Sequence, residues 1–314
     1  MRKHLFIISL IITTIVLFSS CAHKSSNTND TITLSKEPDY IFSSEYADNL
    51  YIVSNNKLQQ YIDGVFQDVI DISNGFRNAY VEEKQVYFID DDNNLTLLNL
   101  KDNSLRVLLS NVTDYSIDTD LIAIVSKDKS LYIYNKNDFN NYSKIDDIEN
   151  IKSVRTHNNY LLAIDNNGNL FEISHLDSQP SIKEIKEIKG VDSVYCGYGN
   201  MALTVDGNLY YWFKDYYSNA IDPYVDSPSE IIKELSLHNI SEFTFGSSIC
   251  IGWEKGGKLY YWGINGESDK VKGIEYVRSP KAIKGFSNVE SVYIGKSIIY
   301  VKNGLNITTY SFEK

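Results

Sequence analysis

The sequence predicts an all-β chain folded as one seven-bladed β-propeller, and three observations carry that prediction. A phrase of apolar strand, tight polar turn and second strand recurs along the chain. It recurs at a spacing that suits a blade of several strands. The strands themselves are nearly continuous apolar runs, as expected when both faces of a sheet are covered by neighbours.

The phrase is clearest in two copies. Residues 191–197 run into Met201 to Trp212, and residues 240–246 run into Gly256 to Gly263. Turns such as Asp206-Gly207 supply the positive φ that links two paired strands. The first apolar residue after each turn serves as an anchor: Leu58, Leu95, Leu131, Leu170, Leu209, Leu259 and Ile307. The anchors are separated by 37, 36, 39, 39, 50 and 48 residues, so seven blades are expected. A solenoid is the alternative, but its periods are usually shorter and carry helices or regular turns.

Each copy justifies its strands in turn. Leu50 to Ser54 precede Leu58, Val86 to Ile89 precede Leu95, and Leu121 to Val125 precede Leu131. Leu161 to Asp165 lead to Leu170, and Ile299 to Val301 lead to Asn303-Gly304. Val, Ile, Tyr and Phe dominate these runs, as β-structure favours. Ser229 to Leu235 fits either a helical turn or an extended connector. Lys314 follows the seventh anchor closely, so the last blade lacks its outer strands. Thr31 to Leu34 are expected to supply one from the N-terminal side and close the ring.

Residues 279–295, together with Cys196-Gly197, Ala202-Leu203-Thr204, Asp206-Gly207, Tyr211-Trp212 and Tyr261-Trp262-Gly263, resemble regulator-of-chromosome-condensation repeats. The resemblance is good in blades five and six and the start of seven, and degenerate over residues 39–180. Asn200 and Ile249 stand where family members often carry His. The resemblance implies a seven-bladed propeller, in agreement with the anchor count. Nucleotide exchange on chromatin, the family's best-known role, is not carried over, because charge and address both oppose it.

The address is read from the start of the chain. Arg2 and Lys3 precede an apolar stretch from Leu5 to Phe18, followed by Ser19, Ser20 and Cys21. This is a secretory signal pattern, too short for a spanning helix. Small residues just before a cysteine resemble a bacterial lipobox, which makes Cys21 the expected lipidated residue. The expected organisation is a signal peptide over 1–20, a lipidated Cys and flexible tether over 21–37, and the propeller over 38–314. The tether is rich in Ser, Asn, Thr, Lys and Asp and cannot bury a core. The localisation that follows is extracytoplasmic, at a bacterial membrane or cell surface.

The formal charge is −11. Removal of residues 1–20 takes away two basic and no acidic side chains and leaves −13. A nucleic-acid partner, which needs a basic footprint, is not expected. Cys196 and Cys250 occupy different repeat positions, so two buried thiols are expected rather than a disulfide.

Little in the chain spells catalysis. His157, His175 and His238 lack metal-ligand spacing, and neither a nucleophile elbow nor a phosphate-binding loop occurs. No cofactor is expected. Asp90, Asp92 and Asn94 alternate as calcium ligands do, but Leu95 stands where such a loop needs Gly, so a turn is expected. The Tyr-Tyr-Trp runs at 210–212 and 260–262 are expected to pack blades, with Tyr210 and Trp212 on one face and Tyr211 on the other.

The two long connections are the better functional candidates. The first holds Tyr216, Tyr217, Asp222, Tyr224 and Asp226, which are the candidate partner-binding residues. The expected function is a non-enzymatic scaffold that binds a protein or cell-envelope component, held to the membrane by its acyl anchor. Two alternatives are kept. One is an inhibitor of a secreted hydrolase such as β-lactamase. The other is a glycan hydrolase or lyase, which would need two acids and a base at the channel mouth.

Overall fold

The computed structural model describes residues 30–44, 47–197, 200–212, 233–245, 249–254, 257–264 and 276–311. These residues form seven four-stranded antiparallel sheets arranged as a β-propeller, with no helix among them. Blade 1 comprises β2 (Tyr40–Ser44), β3 (Asn49–Ser54), β4 (Lys57–Ile62) and β5 (Val65–Asp71). Blade 2 comprises β6 (Arg77–Glu82), β7 (Gln85–Ile89), β8 (Leu95–Asn99) and β9 (Ser104–Leu109). Blade 3 is β10 (Val112–Ile117), β11 (Leu121–Ser126), β12 (Leu131–Asn135) and β13 (Asp138–Ile145). Blade 4 is β14 (Ile151–Thr156), β15 (Tyr160–Asp165), β16 (Leu170–Ser174) and β17 (Ser181–Ile185). Blade 5 is β18 (Val191–Tyr195), β19 (Asn200–Thr204), β20 (Leu209–Trp212) and β21 (Lys233–Glu234). Blade 6 is β22 (Ile240–Phe245), β23 (Ile249–Glu254), β24 (Leu259–Ile264) and β25 (Tyr276–Ile283).

Blade 7 is composite. It joins β26 (Ser291–Ile294), β27 (Ile298–Asn303) and β28 (Asn306–Ser311) to β1 (Thr31–Thr33) from the other end of the chain. Strand β1 pairs antiparallel with β28, with Ile32 opposite Ile307. Ile32 and Leu34, 8% and 5% exposed, enter an apolar cluster with Ile41, Leu50, Ile52, Tyr300 and Ile307. The expected closing strand is therefore present, and only the outermost strand of the last blade comes from the N-terminal side. The ordered ring accordingly begins inside the 21–37 stretch expected as tether. Closure in this way leaves no blade short of a strand and ties the two ends of the ring together.

The core lies between blades rather than inside one sheet. Seven apolar clusters fill the seven junctions. Strand β15 shows why the runs are continuous. Leu161 and Ala163 point into the junction with blade 3, while Tyr160, Leu162 and Ile164 point into the junction with blade 5. The Tyr-Tyr-Trp run of β20 behaves as alternation predicts. Tyr210 and Trp212 face blade 4, and Tyr211 faces blade 6. Lys233 and Glu234 pair with Tyr211 and Tyr210, so that end of the 229–235 connector is extended.

A lattice of left-handed residues staples successive blades. Asn93, Lys129, Gly168 and Gly207 in the turns between second and third strands all have positive φ. Their carbonyls accept the N–H groups of Val112, Ile151, Val191 and Ile240, which open the next blades, at 2.7–3.1 Å. The residues just before those, Asn111, Asn150, Gly190 and Asn239, are also left-handed. Asn111, Asn150 and Gly190 accept in turn from Lys127, Asn166 and Val205 in the following turn. The Asp-Gly and Asn-Gly turns thus set the blade spacing as well as reversing the chain.

Candidate functional site

The propeller has two rims and a channel. Strand β20 ends at Trp212, opposite Asn200 at the start of β19. Strand β24 ends beyond Gly263, opposite Ile249 at the start of β23. Strand β28 ends at Ser311, opposite Ile298 at the start of β27, and Thr309 donates to the carbonyl of Asp30. These three ends share one rim, on consecutive blades 5, 6 and 7. Both long connections, 213–232 and 265–275, and the N-terminal tether are therefore attached to the same side of the ring.

Tyr216, Tyr217, Asp222, Tyr224 and Asp226 lie outside the described residues, as does Cys21. What the structure places is their attachment. The first connection leaves from Trp212, which is 2% exposed and donates its indole N–H to Glu172 at 2.9 Å. Glu172 also accepts from the Tyr160 hydroxyl at 2.6 Å, and Tyr160 receives the Asn200 amide at 2.9 Å. Burial, ahead of the nearby Cys196 and Glu172, drives the Tyr160 phenol far above its ordinary pKa. The network holds the root of the connection rigidly between blades 4 and 5. Asn200, in a place where the resembled family often carries His, is 1% exposed and leaves its Oδ1 without a partner among the described residues.

The channel is lined by the seven innermost strands. Asp114 on β10 is 4% exposed and joins three blades. It accepts from Asn78 of blade 2 at 2.5 Å, and from the Val154 N–H and the Arg155 guanidinium of blade 4 at 2.9 and 3.0 Å. Its role is to hold inner strands together. Beside it, the Tyr115 hydroxyl lies 2.5 Å from the Asn78 carbonyl and 2.8 Å from that of Tyr87, and burial raises its pKa well above the ordinary value.

Each inner strand from β10 to β22 opens with a one-residue bulge, at Thr113, Lys152, Asp192 and Ser241. A bulge frees one main-chain carbonyl of the partner strand. The hydroxyls of Thr113 and Ser241 reach the carbonyls of Val125 and Trp253 at 3.2 and 3.0 Å. Lys152 and Asp192 occupy the same position in blades 4 and 5 and pair with each other at 2.8 Å. Glu242, next in blade 6, has its carboxyl raised above the ordinary value by burial within the channel and by the charge of Asp192. The Lys152–Asp192 ion pair and, one blade on, Glu242 thus lie at the channel end where the inner strands begin. Lys152 and Asp192 stand one repeat apart in sequence, and the degenerate repeats before residue 180 hide that register. What the trio can do chemically is hold a proton on Glu242 above the usual carboxylate range.

The remaining candidates resolve plainly. The Asp90 carboxylate accepts the N–H and side-chain amide of Asn94 at 2.8 and 3.1 Å, which is a turn. Asp165 does the same for Asn169 and also caps Asn167. Cys196 and Cys250 are buried thiols that form no disulfide with each other, being in different blade junctions. The His157 ring is lowered in pKa by burial, against the pull of Asp118, and the His238 ring lies 3.2 Å from the Asn208 side chain. No group of three or more His, Cys, Asp or Glu side chains among the described residues is placed to hold a metal ion.

No family model and no curated protein matches the sequence. Solved structures do match in shape. Human WBSCR16 superposes with a TM-score of 0.62 at 12% identity, over 89% of this chain and 88% of that one. Prp20p of Saccharomyces cerevisiae, the yeast RCC1, gives a TM-score of 0.58 at 10% identity over 85% and 81%, in a study of its binding to Gsp1p and histones. PorZ, a surface component of the type-IX secretion system of Porphyromonas gingivalis, gives 0.55 at 11% identity, over 85% of this chain and 36% of that one. At these identities the likeness shows the fold, a β-propeller.

Proposed function

We propose that this protein is a lipid-anchored extracytoplasmic scaffold that binds a protein partner through the rim carrying its two long connections. The observation that carries the reading is topological. Blades 5 and 6 depart from the compact repeat at adjacent positions on one rim, and the rest of the ring is a rigid stapled frame. Recognition on such frames is usually borne by loops. One of the similar propellers, Prp20p, the yeast RCC1, is described with protein partners in two structures, Kap60 in one and Gsp1p and histones in the other. Tyr216, Tyr217 and Tyr224, with Asp222 and Asp226, supply amphipathic anchors and charge on the longer connection. Cys21 supplies the anchor, and the tether joins the ring on that same rim.

Affinity capture from envelope extract tests the scaffold reading. One dominant partner is expected, and it should be lost when Tyr216, Tyr217 and Tyr224 are replaced by Ala. Recovery of the same proteins by the wild type and the triple variant would refute it. Metabolic labelling with an alkyne fatty acid tests the anchor. Label on the wild type and none on Cys21→Ala is expected.

A further inference from the structure

On the opposite rim, where the staples run, blades 2 and 3 enclose a groove of about 590 Å³ lined by Asn111, Lys127, Asp128, Tyr132, Tyr134 and Tyr142 among others. That volume is within the range of ligand sites. Tyr134 and Tyr142 are directly opposed across β12 and β13, and their rings stack at 5.0 Å with 24° between planes. Tyr132, two residues along the same face, meets the Tyr142 ring edge-on at 6.1 Å. Tyr132 and Tyr134 pack on the apolar junction of blades 2 and 3, and Tyr142 is 57% exposed. Tyr134 and Tyr142 therefore cover one face of each other, and the surface open to a ligand is the outer side of Tyr142, held in place by Tyr132 and Tyr134 behind it.

The polar groups of the groove are largely unspent. None of the three phenol hydroxyls, nor the Lys127 ammonium, nor the Asn111 amide, has a hydrogen-bond partner among the described residues. The Asp128 carboxylate is the exception, taken up by Ser126 and Ser130. The backbone of β12 is paired on both sides, with β11 and with β13. The tyrosine wall thus offers a ligand ring and hydroxyl contacts, and the free main-chain edge of blade 3 is the outer side of β13. A sugar chain needs what is present: an aromatic face for the C–H side of a ring, and scattered donors and acceptors for its hydroxyls.

We infer that this groove is an oligosaccharide-binding subsite, with Tyr142, backed by Tyr134, as the stacking ring and Lys127 and Asn111 as the polar contacts. It goes beyond the protein-binding reading and sits on the other rim, so the two stand or fall separately. Lys127 sets a preference for sugars bearing a carboxylate.

The test is titration of the purified protein with cellohexaose, chitohexaose and hexagalacturonate, followed by calorimetry and by tyrosine fluorescence. Binding of at least one with a Kd below about 1 mM is expected. Tyr142→Ala should weaken it about tenfold, the scale of one lost aromatic contact. Lys127→Ala should weaken hexagalacturonate more than the neutral sugars. Tyr142 is exposed enough that its replacement leaves the fold intact, which a thermal melt of the variant checks. Silence from all three probes overturns the inference, and so does binding that is equal in wild type and Tyr142→Ala. Tyr216, Tyr217 and Tyr224 replacements should leave sugar binding unchanged.

Discussion

Gly207→Ala probes the stapled lattice at one atom. Gly207 has φ +78, and a Cβ built there would lie 2.8 Å from the Asn239 Cα and 3.0 Å from the Ile240 N. Both obstacles are backbone, and Ile240 is the residue whose N–H donates to Gly207 at 3.1 Å. A left-handed alanine costs about 1–2 kcal/mol by itself. Relief of the clash requires the junction of blades 5 and 6 to shift, at about 1–3 kcal/mol. The total is about 2–5 kcal/mol. Gly304→Ala is the matched control. Its φ is +55 and nothing lies within 4 Å of the added Cβ, so only the conformational cost of about 1–2 kcal/mol applies. At about 2–4 °C per kcal/mol for a domain of this size, Gly207→Ala should melt roughly 2–12 °C below Gly304→Ala. Thermal melts by circular dichroism, with urea midpoints in parallel, read this directly. Equal destabilisation by the two variants would refute the idea that the turns hold the blades in register.

Three further outcomes are expected. Ile32→Ala with Leu34→Ala should cost about 2–5 kcal/mol per side chain, because both are buried in the closing junction. Deletion of residues 22–29 should leave the urea midpoint unchanged. Asp48→Ala should lower the urea midpoint by an amount equivalent to about 1.5–3 kcal/mol. Asp48 accepts the N–H groups of Ser297 and Ile298 at 2.8 and 3.2 Å across the junction of blades 1 and 7. The Ser297 hydroxyl also donates to Asp48, so Ser297→Ala should cost less in the Asp48→Ala background than in the wild type. Glu242→Gln should stabilise the protein at pH 7. Glu242 has a folded pKa raised above 4.5, so the folded state holds its proton more tightly and loses stability as pH rises through that window. The gain should disappear below pH 4.5, and a gain that persists at pH 3.5 would sink the assignment.

Much of the fold was legible in one dimension. Leu58, Leu95, Leu131, Leu170, Leu209, Leu259 and Ile307 each open the third strand of a blade or lie within it. They are all fully buried, because that position faces a neighbouring blade in every copy. Tyr210, Tyr211 and Trp212 could be assigned to faces because strand side chains alternate strictly. Thr31 to Leu34 could be assigned to the open blade because a missing outer strand leaves a specific vacancy.

The sites were less legible, and for a physical reason. Lys152, Asp192 and Glu242 come from three blades, and Tyr132, Tyr134 and Tyr142 from two strands of a blade eroded in its repeat pattern. Lys152 and Asp192 are one repeat period apart, but the eroded repeats before residue 180 conceal that register. The signal that could have found Tyr134 and Tyr142 is a pair of aromatics on the outer half of a blade, where packing does not demand them. The sequence by itself determined the blade count, the turn chemistry and the alternation of faces, because these follow from local periodicity and positive-φ residues. Only the tertiary structure decided which rim carries the long connections and which polar side chains share the channel or the groove. Those arrangements depend on how successive blades pack side by side, which brings together side chains that are tens of residues apart in sequence.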